Sequence, residues 1–392
     1  MQHLLKIFLS VGLSAILLIS CKKDHEPDTT VVALGTITGK IVAANHTTAI
    51  RVATVFINSS GKSYITHSDT NGAFTLEAPA GNMHVTIQTG DGSMFRTEMD
   101  VVITEGQTTA IASQPVQLTQ VANLAYIPGI YDKIENILID TMGYTATPLT
   151  WGMLTNLPGI TAYDAIFINC TGEADLQQIT PVTDNNLADY VANGGSLYVS
   201  DYADRSLVGA HLSSSNPCNI ERPGGFIADS LLCVRRSGIV STVTNAPIIS
   251  TSLQAYLNKT SIDEIVYNLP AWEEIHYLDN NFWETMITNP TGAPLLIRTN
   301  QYSNSTKGTL TIGTPANNGY SHVCVTGTGN QHFTLNVRNS DVAALLANGA
   351  SMGSCSNTNG SGRIYYTTFH NEANGLIGAD MKNILQYVIL DL

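Results

Sequence analysis

Between residues 34 and 118 apolar and polar side chains alternate with a period of two. Thr36-Ile37-Thr38-Gly39-Lys40-Ile41-Val42 sets the pattern, and "ATVFINS", "FTLEAP" and "HVTIQTG" repeat it, each run bounded by Gly, Asn or Asp. Successive side chains of a strand point to opposite faces, so this alternation predicts half-buried strands, and about seven short ones at this spacing predict a small β-sandwich. From about residue 119 onward the pattern becomes strand and helix in turn. "VANLAYIPG" predicts a strand running into a glycine turn. "YDKIENILIDTMG" then puts Ile134, Ile137, Leu138 and Met142 on one helical face, with Gly143 as the stop. "YTATPL" is a short strand, "YDAIFINC" and "SLYVSD" are continuous apolar strands of the buried kind, and "TDNNLADYVANGG" between them is a helix. The last helix, "ADMKNILQYVILDL", offers Ile384, Leu385, Val388 and Ile389 to a sheet. Strand–helix–strand units of this length predict a mostly parallel sheet with right-handed crossovers. Residues 204–362 interrupt it with short strands and many Asn, Ser, Thr and Gly, a β-rich insertion without its own core.

The first 20 residues fit neither pattern. Lys6 precedes an apolar run over residues 7–19, too short for the roughly 20 residues that span a bilayer, and "LISC" places a small residue directly before Cys21. This resembles the signal peptide and lipobox of bacterial lipoproteins of the Bacteroidetes type. The resemblance implies cleavage before Cys21, acylation of Cys21, and attachment to the lipid bilayer through that residue. Lys22 stands where an inner-membrane retention signal often has Asp, so the implied address is the outer membrane, facing periplasm or cell surface. Residues 21–33 then form a charged tether.

Within the sandwich region, Asp69-Thr70-Asn71-Gly72 is a turn signal, Phe74 and Leu76 share one face, and Pro79-Ala80-Gly81 turns the chain again. Gly39, "DTNGAF" and "APAG" in this order resemble the carboxypeptidase regulatory-like domain, a transthyretin-like β-sandwich, over residues 34–118. The family implies a non-catalytic spacer or adhesion module. Asp69 and Asn71 fit a turn better than a calcium site.

In a parallel sheet, ligands sit past the carboxyl ends of the strands, which singles out Cys170, Ser200, Asp201 and His370-Asn371-Glu372. The order of strand, helix "LADYVANGG", strand "SLYVSD" and a late His-x-Glu resembles the class I glutamine amidotransferase-like, flavodoxin-like α/β fold, over residues 121–202 and 362–392 of a domain spanning 119–392. In that family a cysteine on the turn after the "SLYVS" strand is the nucleophile, and a histidine and glutamate matching His370 and Glu372 activate it. Here the turn holds Ser200 and Asp201. A carboxylate beside a developing oxyanion raises its cost, so the resemblance implies a degenerate domain acting as a binding or structural module. A hydrolase using His370 and Glu372 with Ser200 or Asp201 is the alternative, and adhesion or glycan capture through the sandwich is another. Asp201 and Asp204 with His211 and His370 are a further candidate set for a metal or a sugar hydroxyl network, with Trp151, Trp272 and Trp283 as stacking surfaces, although three tryptophans in this length need no ligand to explain them.

Removing residues 1–20 takes away Lys6 alone among 18 basic side chains, leaving 17 against 31 acidic ones. Such a surface repels polyanions, which excludes nucleic acid as a partner and leaves an envelope protein or a carbohydrate. No Cys-x-x-Cys or clustered Cys/His spacing exists, so neither a metal nor another cofactor is expected. Besides Cys21 there are five cysteines, an odd number. In an exported chain Cys218 with Cys233 and Cys324 with Cys355 are the expected disulfides, leaving Cys170 unpaired.

Overall fold

A computed structural model of the chain describes residues 32–210, 218, 225–303, 319–356, 361–369, 371 and 378–392. Cys21, His211, His370 and Glu372 lie outside the described residues. The alternating region folds into two facing sheets. β1 (Leu34–Val42) pairs with β4 (Ala73–Pro79), β7 (Thr108–Ala110) and β8 (Val116–Gln117). The second sheet runs β3 (Lys62–His67), β2 (Thr54–Ser59), β5 (Gly81–Gln88), β6 (Arg96–Ile103), antiparallel throughout. Phe74, Leu76 and Ala78 of β4 point into the shared core while Ala73, Thr75 and Glu77 between them face water. The turn before β4 is local chemistry: Asp69 Oδ1 accepts the N–H groups of Asn71 and Ala73 at 2.8 and 2.9 Å, and Gly72 takes φ +78°. Asp69 is thereby engaged as a turn residue.

The rest of the chain builds a seven-stranded sheet in the order β10 (Thr147–Pro148), β9 (Leu124–Ile127), β11 (Ala165–Ile168), β12 (Ser196–Ser200), β22 (Ile364–Thr367), β18 (Pro294–Thr299), β17 (Glu284–Thr288). The first five strands are parallel; the β17–β18 hairpin adds antiparallel to β22. Alternation along the strands divides its two faces. Phe167, Tyr198 and Tyr365 join the sandwich core and the helix Ala379–Asp391, so one apolar interior runs beneath both regions. Ile166, Ile168, Leu197, Val199 and Tyr366 face the helix Pro181–Ala192. That helix starts where Thr180 caps Thr183 reciprocally with Pro181 as its first residue, and Leu187, Tyr190 and Val191 are buried.

One element departs from the sequence pattern. Over Asn136–Thr141 the chain is wound as a π-helix, the Met142 N–H reaching back five residues to the Ile137 carbonyl at 3.0 Å. Both ends are fixed from outside: Asn169 Oδ1 holds the Ile134 N–H, and Asn45 bonds the Thr141 and Met142 carbonyls. The wider turn absorbs the extra residue between these anchors, and the apolar face stays buried.

The insertion makes two nested ribbons and a hairpin. β13 (Leu232–Gly238) pairs with β16 (Trp272–Leu278), enclosing β14 (Ser241–Pro247) paired with β15 (Ser261–Tyr267). β19 (Tyr320–Thr326) pairs with β20 (His332–Arg338) and with β21 (Ser351–Met352). Val323, Val325, Leu335 and Val337 of the hairpin, with Leu345, pack on Phe56 of β2. Gln88, fully buried, donates to the Thr334 carbonyl at 2.9 Å and accepts the Asn336 N–H at 3.0 Å. Disulfides join Cys218 to Cys233 and Cys324 to Cys355, with Cα atoms 5.5 and 4.9 Å apart. Cys170 is free and buried.

Candidate functional site

Parallel pairing brings the carboxyl ends of β9, β11, β12 and β22 to one edge, where the order of the strands reverses between β9 and β11. Ser200, the last residue of β12, donates from Oγ to Asp132 Oδ2 at 2.5 Å and accepts the Cys170 N–H at 2.9 Å. Asp132, in the loop after β9, also accepts the Asn371 N–H at 2.9 Å. Asn371 is held in turn by Lys133, its Nδ2 donating to the Lys133 carbonyl at 2.6 Å and its carbonyl accepting the Lys133 N–H at 3.0 Å. The loop passes this close because residue 129 is glycine: a Cβ there would stand 2.3 Å from the Cys170 carbonyl oxygen.

Asp201 follows Ser200 with φ +41°, in the left-handed region, and leads into the short helical turns Asp201–Asp204 and Arg205–Val208. A non-glycine residue held there costs about 1–3 kcal/mol, and a strained strand-to-helix turn is the shape of a nucleophile elbow. The carboxylate is nevertheless occupied. Oδ1 accepts the Glu273 N–H from β16 at 2.7 Å, and Oδ2 accepts from Cys170 Sγ at 3.5 Å. Behind β16, Glu273 pairs with Arg236 at 3.1 Å, and the Arg236 guanidinium lies over the Tyr202 ring, 4.1 Å from its centre. The ribbon of the insertion thus covers the turn.

Burial decides the protonation states. It pushes the Asp132 carboxyl up to about 7, although the Ser200 hydroxyl and the Asn371 amide favour its charged form. Asp201 is raised well above the carboxylate range by burial, with Glu273 and Asp204 adding repulsion. Burial and the neighbouring Asp201 raise the Cys170 thiol as well, so the sulfur carries its proton and is no nucleophile at neutral pH. An aspartate titrating near 7 is matched to general-base work. Yet Asp132, Cys170, Ser200 and Asp201 are all 0 % exposed, and a substrate carbonyl has no approach to the Ser200 hydroxyl through the described residues. Among the described residues no three His, Cys, Asp or Glu side chains converge on a metal position.

Of the residues singled out in the sequence, the structure brings Ser200, Asp201 and Cys170 together; His370 and Glu372 fall outside the described residues, beside Phe369 and Asn371 that are within them. Asp204 is buried at the same edge. Sequence reasoning missed Asp132 and Glu273. Asp132 had a usable signal, since it follows the glycine turn at the end of the first parallel strand. Glu273 had none, because its backbone rather than its side chain reaches Asp201.

No family model matches the chain, and no curated protein matches it. Among solved structures it is similar to the TIE protein of Bacillus anthracis (10% identity over 25% of this chain and 19% of that one, TM-score 0.19). It is also similar to a DUF3823 family protein from Parabacteroides merdae (12% identity over 23% and 48%, TM-score 0.18) and to a type II cohesin–X–dockerin complex from Acetivibrio cellulolyticus (20% identity over 26% and 70%, TM-score 0.19). The chain spans less than half the length of the first two. Overlaps this partial assign no family.

Proposed function

We propose that the chain is an outer-membrane lipoprotein, anchored through acylated Cys21, in which a transthyretin-like sandwich carries a degenerate amidotransferase-like domain. That domain serves as a non-catalytic binding or structural module, with an envelope protein or a carbohydrate as its partner. One observation carries the non-catalytic reading: the elbow residue is Asp201, buried, protonated and bonded through both carboxylate oxygens to Glu273 and Cys170. The parallel strands, taken in chain order as 2-1-3-4-5 across the sheet, support the flavodoxin-like class. The specific observation in favour of a hydrolase is the elbow backbone of Asp201 itself.

Assaying the purified chain on ester, amide and glycoside substrates separates the two. The expected result is no turnover above the blank in wild type, Ser200→Ala, Asp201→Asn or His370→Gln. Reproducible hydrolysis abolished by any of the three substitutions overturns the non-catalytic reading, since general-base assistance is worth about 100- to 10,000-fold. For the anchor, Cys21→Ser is expected to stop acylation and move the protein to the soluble fraction; an unacylated variant that stays in the membrane overturns it.

A further inference from the structure

One edge of the sandwich ends in open backbone groups. β3 stands last in its sheet, paired with β2 alone. The turn Ser60–Gly61, at φ +51° and +74°, closes Ser59 against Lys62. At the other end Ser68 donates its N–H to the Ala53 carbonyl and accepts the Val52 N–H, each at 3.0 Å. Strand backbone groups alternate sides, so Lys62, Tyr64 and Thr66 bond β2, whereas the N–H and C=O of Ser63, Ile65 and His67 point away from it. Among the described residues no backbone or side-chain group bonds these three.

A groove of about 440 Å³ runs along this edge. One side is β4 of the facing sheet, with Leu76 and Glu77; the other is the β19–β20 hairpin, with Gln331 and Phe333. Tyr64 packs towards the sandwich core and Ile65 towards the hairpin cluster, so apolar surface flanks the edge on both sides. His67 also lines a second cleft of about 160 Å³, together with Arg51 and Tyr256. Arg51 is half-buried, its guanidinium 5.9 Å from the centre of the Tyr256 ring, and it pairs with no carboxylate among the described residues. Asp391, the carboxylate of that cleft, is taken up by Arg298 at 2.6 Å and Arg363 at 3.1 Å. Other edges are guarded: β6 carries Glu98 and Asp100, with Tyr320 of the hairpin bonded to Glu98, and β17 is bridged at Ile287 by Ile248.

From this we propose that β3 is a docking edge for an extended peptide segment of another protein, added antiparallel as a further strand and carrying, near its own amino end, a carboxylate side chain that meets Arg51. Donors and acceptors that repeat every second residue, about 6.8 Å apart, match the backbone of a strand and no small ligand. Main-chain bonds hold the segment, and its side chains fall alternately against Leu76 and against Phe333. A second copy of this chain is the poorer match: in full antiparallel register its Lys62 would stand opposite His67 and beside Arg51, cation against cation. The site lies on the sandwich and is independent of what the parallel-sheet domain does.

Fluorescence anisotropy with the purified full chain tests it, the probes being blocked, labelled peptides that place one aspartate before threonine alternating with valine, leucine, isoleucine or tyrosine. The expected result is saturable binding of at least one probe, weakened about tenfold or more by asparagine in place of the aspartate or by Arg51→Gln, the two changes together costing no more than either alone. N-methylation of alternate peptide amides isolates the main-chain bonds: methyl groups on the set facing β3 are expected to abolish binding, and those on the other set to preserve it. Ser63→Pro removes an outward N–H without touching a backbone bond to β2, and is expected to weaken every probe about tenfold or more with the urea midpoint near that of wild type. No saturable binding by any probe, equal effects of the two methylated sets, or binding indifferent to Arg51→Gln overturns the proposal. So does a chain that sediments as a dimer split by Ser63→Pro, which gives the edge to a second copy. Where Ser63→Pro fails to fold, the methylated pair and Arg51→Gln decide.

Discussion

The two ends of the seven-stranded sheet are built from similar polar residues and use them in opposite ways. At the carboxyl end, Ser200, Asp132 and Asn371 bond one another while the Asp201 carboxyl accepts from Glu273 and Cys170, so these hydrogen bonds are spent inside the protein. At the amino end, Asn280 and Asn281 are exposed, the buried Trp283 Nε1–H has no partner among the described residues, and Arg298 is balanced by Glu284 and Asp391. In a doubly wound sheet the carboxyl end is the customary place for a ligand, so its closure by β16 is the more informative half of the contrast. A polar cluster becomes a site only when some of its hydrogen bonds are left for another molecule.

The largest effect that sharpens this contrast is in the pH dependence of stability. Burial pushes the Asp132 carboxyl up to about 7 in the folded protein from the 3.8 of an ordinary aspartate, so the folded state holds its proton more tightly than the unfolded chain. The contribution is complete below pH 3.8 and is lost as pH rises through 7, by up to about 4 kcal/mol at 1.36 kcal/mol per unit. Asp132→Asn is expected to remove this share and to be more stable than wild type at pH 8 in urea melts taken from pH 4 to 8. Asp184, raised by burial to about 6, leaves a residual slope in the same window. A variant whose curve parallels wild type breaks the account of a buried, protonated carboxyl end.

A smaller effect comes from truncating one group at each end. Ser200→Ala strands Asp132 Oδ2 and the Cys170 N–H in the interior, at about 1–3 kcal/mol for each unsatisfied group, and is expected to lower the urea midpoint accordingly. Asn280→Ala at the open end is expected to stay within about 0.5 kcal/mol of wild type. Equal losses in the two variants would remove the distinction between spent and unspent hydrogen bonds.

What the sequence carried was whatever burial writes locally. Phe74, Leu76 and Ala78 alternate with exposed neighbours, so the strand could be read directly, and the apolar "SLYV" ending abruptly in Ser200 and Asp201 marked a strand end at the sheet edge. The partners of those two residues left no such trace. Asp132 meets Asn371 across 239 positions, and Asp201 meets a backbone amide across 72. Neither spacing has a period, and a backbone donor has no residue type to notice. The π-helical turn was illegible for a related reason: Asn45 and Asn169, far from it in sequence, set how many residues must fit between its ends. Trp283 looked like an ordinary core tryptophan, and only the neighbours assembled around it leave its donor unmet among the described residues.

The docking of the β19–β20 hairpin on the sandwich bears on the order in which the chain becomes safe from aggregation. Asn58 and Asp341, 283 residues apart, are bonded across this contact, and both polar groups of the Gln88 side chain depend on hairpin backbone. While the chain emerges from its amino terminus, the β2–β3–β5–β6 sheet forms with Phe56 and Ile65 on an uncovered face and a buried-type glutamine unsatisfied. Contacts of this separation form late, because the intervening loop must close first. The interval before residues 320–338 arrive is therefore when a holding chaperone has most to protect, and a sandwich cut free of the hairpin is the fragment most prone to self-association.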